Sequence, residues 1–564
     1  MKYVVGVDYG TQSGRAVVVN CTNGSVVGEA VYNYSDGVID KVLPTTKEEL
    51  SVDWALQNPN DYLEVLFRAV PKAVENSGVN KNDIVGIGVD FTACTVLPMN
   101  EKGEALCNLD EYKNNPHAWT KLWKHHGGQP EANIINDLAK EMGEGFYKRI
   151  GKISSELLLP KIFELVNDDP ELYDEVYAFI EGTDWVTMQM TGKLVRSNGT
   201  LGYKALRDKR QGYPTKEFMA KLNPKLENFY EEKLFGEVKT LGEKAGELLP
   251  EMAIKMGLNP GIAVATGNID AHVSAPGSGV VDEGKILMII GTSTCDIVIG
   301  KDEKMVPGIF GLVEDGVVPG LYGYEAGQSA VGDIFEWFIN NCVPESYTKE
   351  ARERNIGIHD LLEEKASKLK PGESGLIALD WFNGNRSILV NADLTGMVLG
   401  MTLHTKPEEI YRALIEATAF GQRVIIESFI EHGVPINEIY ACGGLSQKNN
   451  MLMQIYADIT NKPIKVSAEL QTTSLGSAMF ASVAAGKEAG GYETIVDAAS
   501  NMARLKDEIF APIAENVEIY ERLYKEYKIL HDYFGTGVND AMLRLKNIKK
   551  EAKKSKEAEA EVLA

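Results

Sequence analysis

Apolar, largely β-branched residues recur in short runs along the chain, and each run closes on a glycine or a polar turn. YVVGVD (3–8), RAVVVN (15–20), IVGIGVD (84–90), KILMIIG (285–291), CDIVIG (295–300), GLIAL (375–379) and EIYACGG (438–444) predict strands. Helical patterns cover 60–76, 407–432 and 448–460. This mixture predicts α/β layers. Two segments share one pattern. VVGVDYGTQSGRAVVVN (4–20) and ILMIIGTSTCDIVIG (286–300) each read strand, Gly-Thr turn, strand, about 280 residues apart. No short-period repeat accompanies them, so the pattern points to a duplicated α/β architecture.

The run 258–280 holds several glycines and two prolines and reads as the junction between halves, giving domains 1–278 and 279–564. A hinge there would let the halves close over a cleft. Residues 100–235 carry many charges, Trp and His between sparse strand signals, and read as an elaboration on the first half. The end, KNIKKEAKKSKEAEAEVLA (546–564), is charged and of low complexity, which predicts a frayed helix or a disordered tail.

Composition narrows the function classes. The 564 residues are 44% hydrophobic and 25% charged, ordinary for a protein with a full core. Against 58 basic side chains stand 81 acidic ones, a net charge of −23 that repels nucleic acid and anionic membranes. The six cysteines form no C-x-x-C, so neither a zinc site nor a disulfide framework is indicated. No basic n-region with an apolar core opens the chain, and no apolar run nears the roughly 18 residues of a membrane span. A reducing cytoplasm is the expected setting.

The candidate chemistry starts at ATGNIDAHVSAP (265–276), where Asp270 stands alone among small and apolar residues. An unpaired buried charge is costly, so such an acid has a partner, a metal or a job, unless it caps the helix beginning near Ala271. In VGVDYGTQSGR, Gly10 and Thr11 make a tight turn whose amides can approach an oxyanion, and Asp8 can hold a magnesium ion. Gly291, Thr292, Ser293 and Thr294 offer a second such turn, and Gly443-Gly444 joins a strand to a helix where a flat ring or a phosphate can lie. Each of these also reads as an ordinary hairpin or β–α connection. HAWTKLWKHH (117–126) brings His117, His125 and His126 together, but without acidic or Cys partners at metal-site spacing, and Trp119 and Trp123 read as packing. No Walker G-x-x-x-x-G-K-[ST], H-E-x-x-H or G-x-S-x-G occurs.

From about residue 3 to about 530 the chain resembles the FGGY carbohydrate kinases, and among them the members acting on L-ribulose. The general marks are GVDYGTQSGR, GMVLGMTLHTKPEEIYRALIEATAFGQR (396–423) and GGLSQKNN. The narrower ones are DFTACTVLP (90–98), PHAWTKLWKHH (116–126), GTDWV (182–186), GYEAGQSAVGD (323–333) and DWFNGNRS (380–387). The resemblance implies a duplicated actin-like (ribonuclease H-like) ATPase fold, with two domains around a central cleft and insertions in the first. It implies ATP with Mg2+ as cofactors and a small-molecule sugar as partner; a homo-oligomer stays open.

By the same resemblance Asp270, in G-N-x-D-A-H, is the general base that takes the proton of the sugar's terminal hydroxyl, and Asp8 the magnesium residue. Gly10, Thr11, Gly291, Thr292, Gly332 and Glu336 fall at nucleotide positions, and Gly443, Gly444 and Asn449 on the adenosine side. Ala93 and Cys94 match the sugar-pocket wall, and Lys204 and Glu325 match sugar-recognising positions; a surface or interdomain salt bridge is their ordinary alternative. The first domain would then carry the sugar and the second most of the nucleotide site. The implied reaction gives L-ribulose 5-phosphate, a step of L-arabinose catabolism. The alternatives are another ketopentose or a polyol (a xylulose-type substrate), or a non-catalytic sugar or nucleotide sensor. One position departs from the family: Leu157 replaces the tryptophan expected in S-S-E-W.

Overall fold

Strands β1 (Tyr3–Tyr9) and β2 (Ser13–Asn20) form an antiparallel hairpin that β3 (Val26–Asn33) extends. On the other side β1 runs parallel to β4 (Ile84–Phe91). Beyond β4 lie β6 (Ala263–Ala265), parallel, and β5 (Lys244–Glu247), antiparallel, and the short β7 (Asn268–Ile269) also pairs with β4. The sheet order is β5-β6-β4-β1-β2-β3. Val4, Val5, Val7 and Val17 to Val19 are fully buried, because the sheet is covered on both faces. Near-continuous β-branched runs are the expected signature of such strands.

The second sheet repeats this plan in the computed structural model, which describes residues 1–563 and the side chains of 1–553. Strands β8 (Gly284–Ile290), β9 (Thr294–Gly300), β10 (Gly311–Glu314), β11 (Tyr322–Ala326), β12 (Ile436–Cys442), β13 (Ile464–Ser467) and β14 (Leu505–Phe510) take the order β10-β11-β9-β8-β12-β13-β14. Directions match the first sheet pair for pair: β8–β9 and β9–β11 antiparallel, β8–β12 and β12–β13 parallel, β13–β14 antiparallel. The expected duplicated fold is what the chain adopts. The copies differ in three places: β10 adds a strand beyond β11, β7 lies beside β4 in the first sheet only, and the chain enters the last edge strand before its neighbour in the first sheet and after it in the second.

Two helices cross between the sheets, α2 (Asp270–Gly277) and α7 (Thr472–Ala485). Their Val273, Ala275, Leu475, Ala478 and Met479 share one core with Val4 and Val17 of the first sheet and Leu287 and Ile297 of the second. Each Val, Leu, Ile or Met among them contributes about 1.5–3 kcal/mol when fully buried. The approach is close enough to need glycine. A Cβ on Gly476 would lie 1.9 Å from the Val273 carbonyl oxygen, and one on Gly6 1.9 Å from that of Ser474. Thus α7, from the C-terminal half, covers the first sheet.

The 100–235 elaboration adds helices including α1 (Leu158–Asp168) and two strands (Thr120–Lys121, Ala178–Glu181) that form a smaller sheet with Leu56–Gln57 and Val96–Met99 from the preceding chain. Remaining helices that matter below are α3 (Gly332–Cys342), α4 (Pro407–Glu431), α5 (Gly444–Lys448) and α6 (Asn450–Thr460).

Several expectations change. The helix expected over 60–76 is α-helical at Pro59–Glu64 and Val70–Ser77 but a π-turn at Val65–Ala69. Pro71 has no N–H to continue the ladder. The segment 258–280, read as the junction between halves, is itself built of regular structure: it supplies β6, β7 and α2. The helix expected over 448–460 starts at Asn450, where Asn449 caps it by accepting the Leu452 amide at 2.7 Å. The charged end is helical over Ala541–Leu563, and residue 564 lies outside the described residues.

Candidate active site

Parallel strands bring residues at their C-terminal ends side by side, and the first sheet places acids there. Asp8 on β1 stands in register with Asp90 on β4 and with Arg15 on β2, whose Nη1 lies 3.7 Å from the Asp8 carboxylate. β7 runs beside the end of β4, so Asp270 follows immediately. Asp90 is fully buried, accepts a hydrogen bond from Ser477 of α7, and leaves Oδ1 without a partner. Burial raises Asp8, partly offset by Asp90 and Arg15; burial and the Asp8 charge push Asp90 far above the usual carboxylate range.

Asp270 is the first residue of α2, not its cap, which is Ile269. Its Oδ1 accepts the Ala271 amide at 2.7 Å, and among the described residues its Oδ2 has no hydrogen-bond donor. Protein surrounds the carboxyl, yet part of the residue's surface stays open. Burial, then the Asp8 charge, raises its pKa to about 7.

A second charged group adjoins it. Glu325 on β11 lies 3.5 Å from Lys204 Nζ, 3.2 Å from His272 Nε2 and 3.5 Å from Arg386 Nη2. Burial alone would raise the Glu325 pKa, but Lys204, His272 and Arg386 outweigh it and hold the carboxylate ionised. Burial lowers the pKa of His272. The salt bridge between Lys204 and Glu325 is the interdomain form of the alternative reading, joining the two halves; both side chains are buried and adjoin Asp270.

The turn at Ala93 and Cys94 is held from behind. Glu181 accepts from Cys94 Sγ and from the Thr95 amide, each at 3.0 Å, while Lys161 Nζ donates to the Cys94 carbonyl at 2.7 Å. Both side chains are buried, and each holds the turn from its own side.

The second sheet's edge is neutral and lined with glycine. The α3 start docks on the turn through Val331 N and Asp333 N, which donate to the Thr292 carbonyl, and through Gly332 N, which donates to that of Gly291. A Cβ on Gly332 would lie 2.7 Å from the Gly291 oxygen. Gly443 has φ +92° and leaves no room for a Cβ, which would meet the Ile290 oxygen at 2.5 Å; Gly444 faces open space. The structure thus gathers Gly291, Thr292, Gly332, Gly443 and Gly444. It sets Asn449 apart, its side chain spent on the α6 cap, and leaves Glu336 exposed on α3 beside His359.

Across the cleft, Thr11 Oγ1 accepts from Trp123 Nε1 at 3.1 Å and Gly10 N donates to Ser13 O at 3.0 Å. A cavity of about 530 Å³ opens between the halves, lined by Trp123, Lys124 and Glu156 on one side and Thr292, Phe310 and Arg386 on the other.

Of the remaining signals, Leu157 is 2% exposed and packs in the main core. His125 bonds Glu164 at 2.8 Å, and His117 lies 3.4 Å from Asp168. Sequence reasoning missed Asp90, Arg386, Glu181 and Lys161. Asp90 and Arg386 lie inside quoted strings, but only tertiary contacts reveal their neighbours.

Comparison with known proteins gives a consistent picture. Residues 3–277 match the N-terminal domain of the FGGY family of carbohydrate kinases, and residues 286–485 match its C-terminal domain. The ribulokinase of Halalkalibacterium halodurans is 57% identical over 549 residues, covering 97% of this chain and 98% of the relative. That of Geobacillus thermodenitrificans is 56% identical over 559 residues, 99% of each chain. Among solved structures, ligand-bound xylulose kinase from Lactobacillus acidophilus aligns with a TM-score of 0.79 at 18% identity, over 95% of this chain and 99% of that one. Plasmodium falciparum glycerol kinase with ADP aligns with a TM-score of 0.73 at 18% identity, over 93% and 97%. At these identities the structures speak to the fold alone.

Proposed function

The chain belongs to the FGGY family of carbohydrate kinases, and from that premise we propose that it transfers the γ-phosphoryl group of ATP to L-ribulose, giving L-ribulose 5-phosphate, in the cytoplasm and as a step of L-arabinose catabolism. One observation carries the chemistry: Asp270 is a partly open carboxyl with a free Oδ2 and a pKa near 7, at the edge where the halves meet. Such a group takes a hydroxyl proton as the oxygen attacks phosphorus. Full-length likeness to relatives named ribulokinase supports the choice of sugar.

In this reading Lys204 and Glu325 hold sugar oxygens against the Ala93–Cys94 wall. A buried donor and acceptor left unpaired by the wrong sugar reject it strongly. Thr11 and Gly10 face the phosphates from one side, and Gly291, Thr292 and Gly332 from the other. Gly443 and Gly444 receive the adenosine, Asn449 acts through its cap, and Glu336 stands at the outer edge, one turn from Gly332. Residues 1–278 carry sugar and base, and 279–564 most of the nucleotide contacts.

A magnesium ion fits the first edge, where Asp8 and Asp90 stand in register and Asp90 Oδ1 lacks a partner. Asp8 would hold it. Among the described residues no three acidic, His or Cys side chains form a metal-binding group by themselves, so phosphate and water oxygens would complete the shell. When bound, the ion supplies charge neutralisation at the phosphates.

The test is a panel of pentuloses and polyols assayed with ATP and magnesium by ADP release. L-ribulose should give the highest kcat/KM; a higher value on xylulose would replace the substrate, and no turnover on any sugar would favour a sensor.

A further inference from the structure

Arg386 stands where the halves meet, and its donors are largely unspent. It comes from the loop 380–387, and its guanidinium carbon lies 4.4 Å from the centroid of the Phe310 ring. Nη2 reaches Glu325 at 3.5 Å and, across the cleft, Glu156 of the N-terminal half at 4.0 Å. Charge-assisted N–H···O bonds are ordinarily about 2.7–2.9 Å. Both contacts are therefore orienting rather than tight. Among the described residues the bond to Glu325 is the only hydrogen bond this guanidinium makes. A planar fork of five N–H donors thus keeps most of its capacity, in a side chain only 26% exposed. It lines the cavity together with Thr292 and Ser293, the tip of the second turn. The other cation of the group, Lys204, is buried against Glu325 and is not among the residues lining that cavity.

A fixed cationic fork with free donors, beside a turn of hydroxyls and amides, matches an anion with several equivalent oxygens. We propose that Arg386 is a catalytic residue that contacts the phosphoryl group in transfer, donating to its equatorial oxygens as charge spreads over them. The inference rests on the kinase reading above. In the step, the bond from the terminal phosphorus to the bridging oxygen of ATP breaks, and ADP leaves with the electron pair. A bond forms to the sugar oxygen, whose proton passes to Asp270. Arg386 exchanges no proton; Glu325 and Glu156 only aim it.

The experiment compares wild type with R386Q and R386K, measuring kcat, both KM values, and ADP and sugar affinities by intrinsic fluorescence. R386Q should lower kcat by about 10²–10³-fold, the usual effect of removing one such donor, with ADP and sugar affinities within about threefold. R386K keeps charge but not the fork and should fall between. A kcat within about threefold of wild type in R386Q overturns the proposal, as does weaker sugar binding with kcat retained, which would make Arg386 a sugar-recognising residue. If R386Q lacks the wild-type melting transition, R386K decides alone: an unchanged kcat overturns the assignment. Wild-type turnover on L-ribulose tests the substrate reading separately, and if another sugar is preferred, the Arg386 comparison runs on that sugar.

Discussion

The two sheets share order and direction, yet their equivalent positions differ in charge. Two residues before the turn glycine stands Asp8 in the first sheet and Ile289 in the second. Across the hairpin Asp8 faces Arg15, whereas Ile289 faces Cys295. On the parallel neighbour Asp8 meets Asp90, whereas Ile289 meets Cys442. The backbone plan is kept, and at these three matched positions the charge stands in one copy only. This separates two incompatible needs. A base and a cation site need carboxylates, whereas a polyphosphate needs amides, hydroxyls and room without negative charge nearby. A duplicated fold meets both by placing them on opposite sides of one gap.

Altering either edge should break a different function. The largest effect is expected from D270N on the charged edge: kcat should fall about 10²–10⁴-fold, the usual worth of a general base, with ADP affinity unchanged by calorimetry. Equal loss of ADP binding would erase the distinction between edges. On the neutral edge G443A should weaken ADP binding about tenfold while sugar affinity holds, because its Cβ meets the Ile290 oxygen at φ +92°.

A pH profile sharpens the same contrast. Asp270 works as a base only when ionised, so kcat/KM for the sugar should rise through about pH 7 and level off above. Raising magnesium should move that midpoint down, since the Asp8 charge is one cause of the elevation. A flat profile between about pH 6 and 8 would remove Asp270 from this role.

The smallest effect concerns stability. The Asp90 pKa is raised in the folded state, so the fold binds more protons there than the unfolded chain does. Stability is then lost as pH climbs from the ordinary value near 4 toward the raised one. D90N cannot titrate, so its Tm should exceed that of wild type by about 1–3 °C at pH 8 and converge on it in acid. A Tm advantage that grows in acid would contradict the placement of Asp90.

Much of the fold was legible because strands buried on both faces have to be written as unbroken β-branched runs, and the paired hairpins stood out by their Gly-Thr turns. Asp270 was conspicuous for the opposite reason, a charge where the surroundings have none. Asp90 was not, since an acid at a strand end looks like any turn-proximal polar residue until its register with Asp8 is known. Arg386 and Glu156 are about 230 residues apart, and no local pattern links them. The glycines of 258–280 do more than punctuate the junction: Gly277 serves close packing of α2 against α7, where a Cβ would sit 2.3 Å from the Thr472 oxygen.

The lodging of α7 on the first sheet sets a timetable for synthesis. Strands β1 to β7 leave the ribosome about 200 residues before their covering helix exists. Until then a bare, glycine-floored apolar face waits uncovered, a natural client for a chaperone. A fragment ending at residue 278 would keep that face permanently uncovered and should aggregate, so the amino-terminal half matures only when the far end of its own chain arrives.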